Sequence, residues 1–199
     1  MSYSTAVLLG IVQGVTEFLP VSSSGHLALI QLFTSISSPP ILTTILVHLA
    51  TLLAVVVYFR KQLVDFFTHK IPSLVVGTLP AAVVGLVIYQ TGQSIFESPL
   101  LIGLSLLVTS ALLFSTRLFK KGSLRLDQIQ PHQALIIGLF QSLAILPGVS
   151  RSGATIVSGL YLGLSPQAAF SFSFLLSIPA VLGAVGLSMP DLARLDPSL

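Results

Sequence analysis

The chain has no cysteine, no tryptophan and few charged side chains. Nine Lys and Arg and six Asp and Glu make up 8% of its 199 residues, against about 25% in soluble domains. The lack of cysteine excludes a disulfide scaffold, a thiolate metal site and cysteine catalysis. So few charges cannot cover a water-soluble surface, and 53% of the residues are hydrophobic, with a mean hydropathy of +0.98. The exterior must therefore face lipid, which indicates an integral membrane protein.

Four apolar stretches are long enough to cross a bilayer, which takes roughly 20 helical residues. They lie at about 41–59, 71–90, 99–116 and 167–188, and we expect Pro179 to interrupt the last one. The runs are continuous rather than alternating, which argues against strands. The sequence thus predicts an all-α polytopic membrane protein.

Two further apolar regions are too short to span and are broken by Pro, Gly and Ser. The first runs over 4–19 and resumes at 27–36; the second runs over 133–146 and resumes at 154–163. Non-helical backbone at membrane depth is tolerated only where it is buried in protein or lines a cavity. We therefore expect two broken, re-entrant helix pairs, with a functional site at their breaks.

The basic residues fall into two segments, which are connected by two predicted spans. This placement indicates that they set the orientation of the chain in the membrane rather than bind nucleic acid. These residues are Arg60, Lys61 and Lys70 in one segment, and Arg117, Lys120, Lys121 and Arg125 in the other. Because basic loops stay in the cytoplasm, both segments are expected on that side.

The two breaks also belong to an internal repeat with an offset of 128 residues. Residues 10–25 read GIVQGVTEFLPVSSSG and residues 138–153 read GLFQSLAILPGVSRSG, which are identical at six positions. Three predicted crossings separate the copies, so the second is inverted relative to the first. We expect a single membrane domain, 1–199, with repeat one at about 4–116 and a C-terminally truncated repeat two at about 132–199. Inverted repeats place their site near the midplane, between the copies.

Glu17 and Arg151 are the only charged residues well inside the predicted membrane segments. An ionisable side chain in lipid costs several kcal/mol, so it is normally kept for function and paired. The alternative is a buried ion pair that only locks the helices. Around the two charges the breaks gather polar side chains: Gln13, Thr16, Ser22, Ser23, Ser24 and His26 in the first, and Gln141, Ser150, Ser152 and Thr155 in the second.

The segment Gly148–Gly153 is typical of an oxyanion cradle at a helix start. Glycines let the backbone come close, free N–H groups favour an anion, and Arg151 offers a bidentate fork to phosphate. His26 can serve as nucleophile or proton carrier. His48, within the span 41–59, either faces the same cavity or packs between helices.

The segments QGVTEFLPVSSSGH (13–26) and PGVSRSGAT (147–155) resemble the two signatures of the undecaprenyl-diphosphate phosphatases, also called bacitracin-resistance proteins. The resemblance implies hydrolysis of undecaprenyl diphosphate to undecaprenyl phosphate and inorganic phosphate, which recycles a lipid carrier for cell-wall synthesis. It also implies a divalent cation, Mg²⁺ or Ca²⁺, and a location in the bacterial plasma (inner) membrane with the active site facing outward. Members of the family continue through roughly two more spans. For this chain a homodimer is a further expectation.

The resemblance assigns roles to residues of both signatures, and the remaining polar and glycine residues of the breaks add binding candidates. The catalytic candidates are His26, Glu17, Arg151 and Ser23. The substrate-binding candidates are Gln13, Ser22, Ser24, Gly148, Ser150, Ser152, Gly153 and Thr155. Glu17 and Gln13 are the metal candidates. The family often has Glu at the position of Gln13; since this chain has Gln there, Glu17 is the only carboxylate for that role. The nucleophile stays open between His26, Ser23 and water.

Two other classes compete with a phosphatase. Inverted repeats with broken helices are also a transporter architecture, so a small-solute transporter or channel predicts a continuous aqueous path. A purely structural or lipid-binding membrane protein has no evident use for Glu17, His26 and Arg151.

Overall fold

The computed structural model describes residues 3–34, 40–91, 98–119 and 122–193, without the side chains of residues 34, 40–45, 65, 67–69 and 190–193. This part of the chain contains nine α-helices and no β-strand, which confirms the all-α prediction. The helices are α1 Tyr3–Thr16, α2 Ser23–Thr34, α3 Pro40–Tyr58, α4 Arg60–His69, α5 Ile71–Thr91, α6 Pro99–Ser115, α7 Pro131–Leu143, α8 Arg151–Tyr161 and α9 Pro166–Ala193.

Three helices of the described chain are long and apolar enough to cross a membrane: α5, α6 with the following 3₁₀ turn, and α9. They match the predicted spans 71–90, 99–116 and 167–188, while α3 follows the predicted span 41–59. The predicted interruption at Pro179 is wrong, because α9 runs straight through it. Proline removes one backbone hydrogen bond, and tight packing of the flanking Leu175 and Ile178 against neighbouring helices holds the helix together there.

Helix α4 lies in a segment that the sequence placed in a loop. Its apolar residues Leu63 and Phe66 are three positions apart and buried, whereas Arg60 and Lys61 are exposed. This spacing puts one face of a short helix on the core and leaves the basic residues outside. The basic segment is thus an amphipathic surface helix rather than a free loop.

The two breaks are shorter than predicted. Helix α2 begins at Ser23 and α8 begins at Arg151, although the sequence suggested that helix resumes near 27 and 154. At the start of α8, the Ser150 side chain accepts a hydrogen bond from the Gly153 N–H. Serine favours this capping position because its hydroxyl satisfies a free backbone donor. The polar residues that follow each break therefore lie in the first turns of a helix instead of an irregular loop: Ser23, Ser24 and His26 in α2, and Arg151, Ser152 and Thr155 in α8.

Helix α9 lies at the centre of the bundle. In its most apolar stretch of 18 residues, half of the residues are buried. The corresponding share is 17% in α5 and in α6, whose leucine-rich faces point outward. Its buried residues pack with α3, α4, α5 and α7 in one apolar core. Helices α5 and α7 cross with their backbones almost touching, because a Cβ on Gly138 would lie 2.2 Å from the Gly77 carbonyl oxygen.

The first basic segment contacts the chain just beyond the second one. The Lys70 ammonium group donates a hydrogen bond to the Ile129 carbonyl at 3.3 Å, and Leu124 pairs with Leu164 in an isolated bridge. This arrangement supports placing both segments on one side of the membrane. Lys120 and Lys121 lie outside the described residues, and the cytoplasmic identity of that side stays a prediction.

Candidate active site

The two breaks lie directly against each other. A Cβ on Gly25 would lie 3.0 Å from the Gly148 Cα, and one on Gly153 would lie 3.2 Å from the Pro20 carbonyl oxygen. The Ser152 hydroxyl donates to the Leu19 carbonyl at 3.4 Å. The pooled polar residues of both breaks thus share one region, while their depth in the bilayer and the inverted relation of the repeats stay predictions.

The Ser-x-Ser-Gly segments of the breaks share one local geometry. In each, the first serine hydroxyl accepts from the N–H of the glycine, at 3.2 Å in the first break and 3.0 Å in the second. It also lies 3.3 Å from the second serine hydroxyl in both. The residues are Ser22, Ser24 and Gly25 in the first break and Ser150, Ser152 and Gly153 in the second. The hydroxyls of Ser22 and Ser150 therefore cap helices.

Glu17 is the centre of the site and is only 8% exposed. Its Oε1 pairs with the guanidinium of Arg151, from 134 residues away. Its Oε2 accepts from the Ser23 hydroxyl at 2.6 Å and from the Gln13 amide nitrogen at 3.1 Å. The Nε2 of His48 lies 3.6 Å from the same Oε2. The sequence left the place of His48 open, and the structure puts it beside the carboxylate.

Arg151, the first residue of α8, has further partners in α9. Its Nη1 donates to the Ser173 carbonyl at 3.5 Å, and its Cζ lies 5.9 Å from the Phe174 ring centre. One helical turn further along α8, the Thr155 hydroxyl donates a hydrogen bond to the Arg151 carbonyl at 2.8 Å and lies 2.6 Å from the Ser173 hydroxyl. Thr155, predicted to bind substrate, is fully buried and contacts α9, so it supports the first turn of α8.

His26 is half-buried and lies on α2. Its Nδ1 is 2.8 Å from the Ser22 carbonyl oxygen. A carbonyl only accepts, so Nδ1 carries the hydrogen of the neutral ring and Nε2 keeps its lone pair. Among the described contacts, none joins His26 to Glu17 or Arg151, and the imidazole next to the carboxylate is that of His48.

A threonine that the sequence did not single out holds the second break in place. The Thr109 hydroxyl, on α6, donates to the Gly148 carbonyl and accepts from the Ser150 N–H, both at 2.8 Å. Gly148 has a φ of +97°, and a Cβ there would lie 2.5 Å from the Ile102 carbonyl oxygen. Only glycine fits this position, which fixes the backbone of the predicted anion cradle against α6.

The first break contains oxygen atoms that suit a hard cation. Gln13 is 1% exposed, and its Oε1 has no hydrogen-bond partner among the described residues. The Glu17 carboxylate lies next to this amide. In the described chain no three His, Cys, Asp or Glu side chains cluster as a complete metal site. Mg²⁺ often takes one or two carboxylates and completes its shell with substrate phosphates and water, so these residues fit such an ion.

An apolar groove starts beside the ionic centre. One cavity of about 280 Å³ is lined by Phe18, Ala54, Tyr58, Phe59 and Phe170. It shares Tyr58, Phe59 and Phe170 with a second cavity of about 390 Å³. Phe18 directly follows Glu17 and stacks on Phe174, whose ring faces Arg151. The charged and apolar surfaces are therefore continuous.

Comparisons with known proteins find relatives that match nearly the whole chain. The family model described as "Bacitracin resistance protein BacA" matches residues 6–197. A protein named undecaprenyl-diphosphatase from Methanosphaera stadtmanae is 40% identical over 98% of this chain and 79% of its own length. Proteins of the same name from Desulfosudis oleivorans and Alkaliphilus metalliredigens are 44% and 42% identical, each over 96% of this chain and over 80% and 78% of their own lengths. The chain belongs to the BacA family of bacitracin resistance proteins.

Proposed function

We propose that this multi-pass membrane protein hydrolyses undecaprenyl diphosphate to undecaprenyl phosphate and inorganic phosphate. The relatives carry the name of that enzyme. The observation that carries the proposal is the joining of Glu17, Ser23 and Arg151 in one buried cluster. An acid, a hydroxyl and a guanidinium beside an apolar groove suit a substrate with a charged head and a long hydrocarbon chain.

Arg151 binds the diphosphate in this proposal. Guanidinium offers a planar pair of donors that matches phosphate oxygens, and its place at the start of α8 adds the favourable end of the helix dipole. When substrate arrives, its oxygens replace the Glu17 carboxylate as partners of Arg151. The guanidinium then stabilises charge that builds up on the transferred phosphoryl group.

Ser23 is the nucleophile that the geometry favours. Its hydroxyl already donates to Glu17 at 2.6 Å, so the carboxylate is placed to take the proton as the oxygen attacks. The new Ser23 O–P bond forms as the bond to the bridging oxygen breaks, and undecaprenyl phosphate leaves. Water then attacks the phosphoserine, which releases inorganic phosphate and regenerates the hydroxyl.

His26 is the second candidate, and one observation favours it. Because its Nδ1 is bound to the Ser22 carbonyl, the lone pair at Nε2 is available for attack on phosphorus or for proton transfer. Attack by His26 produces a phosphohistidine, which is acid-labile, whereas attack by Ser23 produces an acid-stable phosphoserine. If water attacks directly, no adduct forms.

A divalent cation, Mg²⁺ or Ca²⁺, belongs to the proposal. Gln13 Oε1 and the Glu17 carboxylate are the atoms that would hold it. When bound, it would supply positive charge that offsets the charge of the diphosphate.

The groove that starts at Phe18 receives the first units of the prenyl chain. Ala54 lies six residues beyond His48 on α3, about 9 Å along the helix, so the groove leads from the ionic centre toward the C-terminal end of α3. We further propose a location in the plasma membrane, with the headgroup site open to its outer face. Association into a homodimer stays a prediction.

Phosphate release from undecaprenyl diphosphate by the purified, detergent-solubilised chain tests this function. We expect cation-dependent release that Glu17→Gln abolishes, while Asp127→Asn, at an exposed position, retains it. Rapid quench with substrate radiolabelled in its terminal phosphate, followed by acid and base treatment, separates Ser23 from His26 as nucleophile. Solute uptake into vesicles without phosphate release would instead support the transporter.

A further inference from the structure

Helix α3 lies outside both sequence signatures, yet it contacts the centre of the site. Thr51 is 8% exposed, and its hydroxyl oxygen accepts a hydrogen bond from the Gln13 amide nitrogen at 3.4 Å. The same hydroxyl donates its hydrogen to the carbonyls of His48, at 3.0 Å, and Val47, at 3.3 Å. A lone pair of the Thr51 oxygen is thus directed at Gln13.

The contacts of Gln13 fix which way its amide faces. Glu17 Oε2 is an acceptor, so the Gln13 amide turns its nitrogen toward it, at 3.1 Å. The second N–H of that nitrogen goes to Thr51. With both donors bound, the amide cannot rotate without losing a hydrogen bond. The orientation leaves Oε1 buried and without a partner among the described residues.

We propose that Thr51 is a positioning residue that directs the Gln13 amide oxygen at the divalent cation. This inference rests on the proposed function, since the cation belongs to that function. An amide has one oxygen able to bind a cation, so its binding depends on which way the amide faces. A partner residue that orients a ligand typically contributes a factor of about 10–100 in metal affinity. Thr51 acts on the cation only through Gln13.

The test compares Thr51→Val, which keeps the shape but removes the acceptor, with Thr51→Ser, which keeps the hydroxyl. Thr78→Val is the matched control, because the Thr78 hydroxyl donates to the carbonyl four residues earlier but lies on α5. Two measurements are made on the full chain in detergent. One is the Mg²⁺ concentration that gives half-maximal phosphate release. The other is the rise in melting temperature that Ca²⁺ or Mg²⁺ produces without substrate.

We expect Thr51→Val to raise the half-maximal Mg²⁺ concentration about tenfold or more and to shrink the cation-induced rise in melting temperature. Thr51→Ser and Thr78→Val should stay within about threefold of wild type, a range well short of the effect of an orienting partner. The turnover of Thr51→Val at saturating Mg²⁺ should recover most of the wild-type value, because only the cation site is weakened.

A second pair of variants separates the orientation of the Gln13 amide from any structural effect of Thr51→Val. A carboxylate has two equivalent oxygens, so Gln13→Glu removes the need for orientation. In that background Thr51→Val should leave the cation dependence unchanged, so Gln13→Glu/Thr51→Val should match Gln13→Glu. A merely structural role for Thr51 predicts the same loss in both backgrounds.

The outcomes separate this inference from the proposed function. If wild type releases phosphate in a cation-dependent way and Thr51→Val has the same cation dependence, the positioning role is refuted and the function stands. Equal losses in the wild-type background and in the Gln13→Glu background refute it as well. If wild type neither releases phosphate nor responds to cations, the proposed function itself fails.

Discussion

Replacement of Arg151 by methionine would leave Glu17 as an uncompensated buried carboxylate. Glu17 is 8% exposed and Arg151 18% exposed, so solvent screens the pair little. Breaking a buried ion pair by removing one partner costs about 3–5 kcal/mol. Two neutral donors, Gln13 and Ser23, still bind the carboxylate in the variant. We therefore expect the free energy of unfolding to fall by about 3 kcal/mol, at the lower end of this range.

A double-mutant cycle isolates the ion pair from other effects of the substitution. Glu17→Gln removes the charge. The double variant Glu17→Gln/Arg151→Met should therefore lose about 2 kcal/mol less free energy of unfolding than the two single variants lose in sum. The matched control is the pair Arg125 and Asp127, whose side chains are 77% and 59% exposed. Exposed pairs give coupling energies of about 0.2–1 kcal/mol, so Arg125→Met and Asp127→Asn should be nearly additive.

The assay is reversible unfolding of the purified protein in mixed micelles with increasing denaturing detergent. Phosphate release is measured in parallel, and we expect it to be lost in all variants of Glu17 and Arg151, including the double variant with recovered stability. If the losses of Glu17→Gln and Arg151→Met add within about 0.5 kcal/mol, the two charges do not stabilise each other and our interpretation of the pair is refuted.

Three further outcomes are expected. Arg151→Lys should keep the fold but lose about 100-fold or more in kcat, because lysine lacks the bidentate fork; near-wild-type turnover would show that charge alone suffices. Thr109→Val should lower the free energy of unfolding by about 1–3 kcal/mol, since two buried backbone groups of the second break lose their partner; unchanged stability would contradict this bracing. Gly138→Ala should lower the melting temperature sharply because its Cβ would meet Gly77, whereas Gly183→Ala, with open space around it, is the control; equal melting temperatures would refute the close helix crossing.

Much of the fold could be predicted because the bilayer imposes strong constraints on sequence. Continuous apolar length identified α5 and α6, and broken runs identified the two short helix pairs. Pro179 misled the prediction, since a proline's effect on a helix depends on neighbours that the sequence does not reveal. Helix α4 was missed because a short amphipathic helix with exposed basic residues looks like a charged loop.

The site was predicted where charge made residues conspicuous. Glu17 and Arg151 stood out as rare ions in apolar segments, and the structure pairs them. Thr51 and Thr109 did not stand out, because hydroxyls in membrane helices usually bond to their own backbone, as Thr78 does. The position of His48 beside Glu17 depends on the rotation of α3 about its axis, which an almost uniformly apolar helix does not encode.

The span of 134 residues between Glu17 and Arg151 has a consequence for biosynthesis. Chain synthesis runs from the N-terminus, so α1 and α2 leave the ribosome well before α8. Until then the Glu17 carboxylate has the neutral donors of its own break but not the guanidinium, and a charge in that state is expensive in hydrocarbon. We therefore expect the first helix pair to reach its final depth only after the second has been made, so that membrane insertion of this chain is completed late.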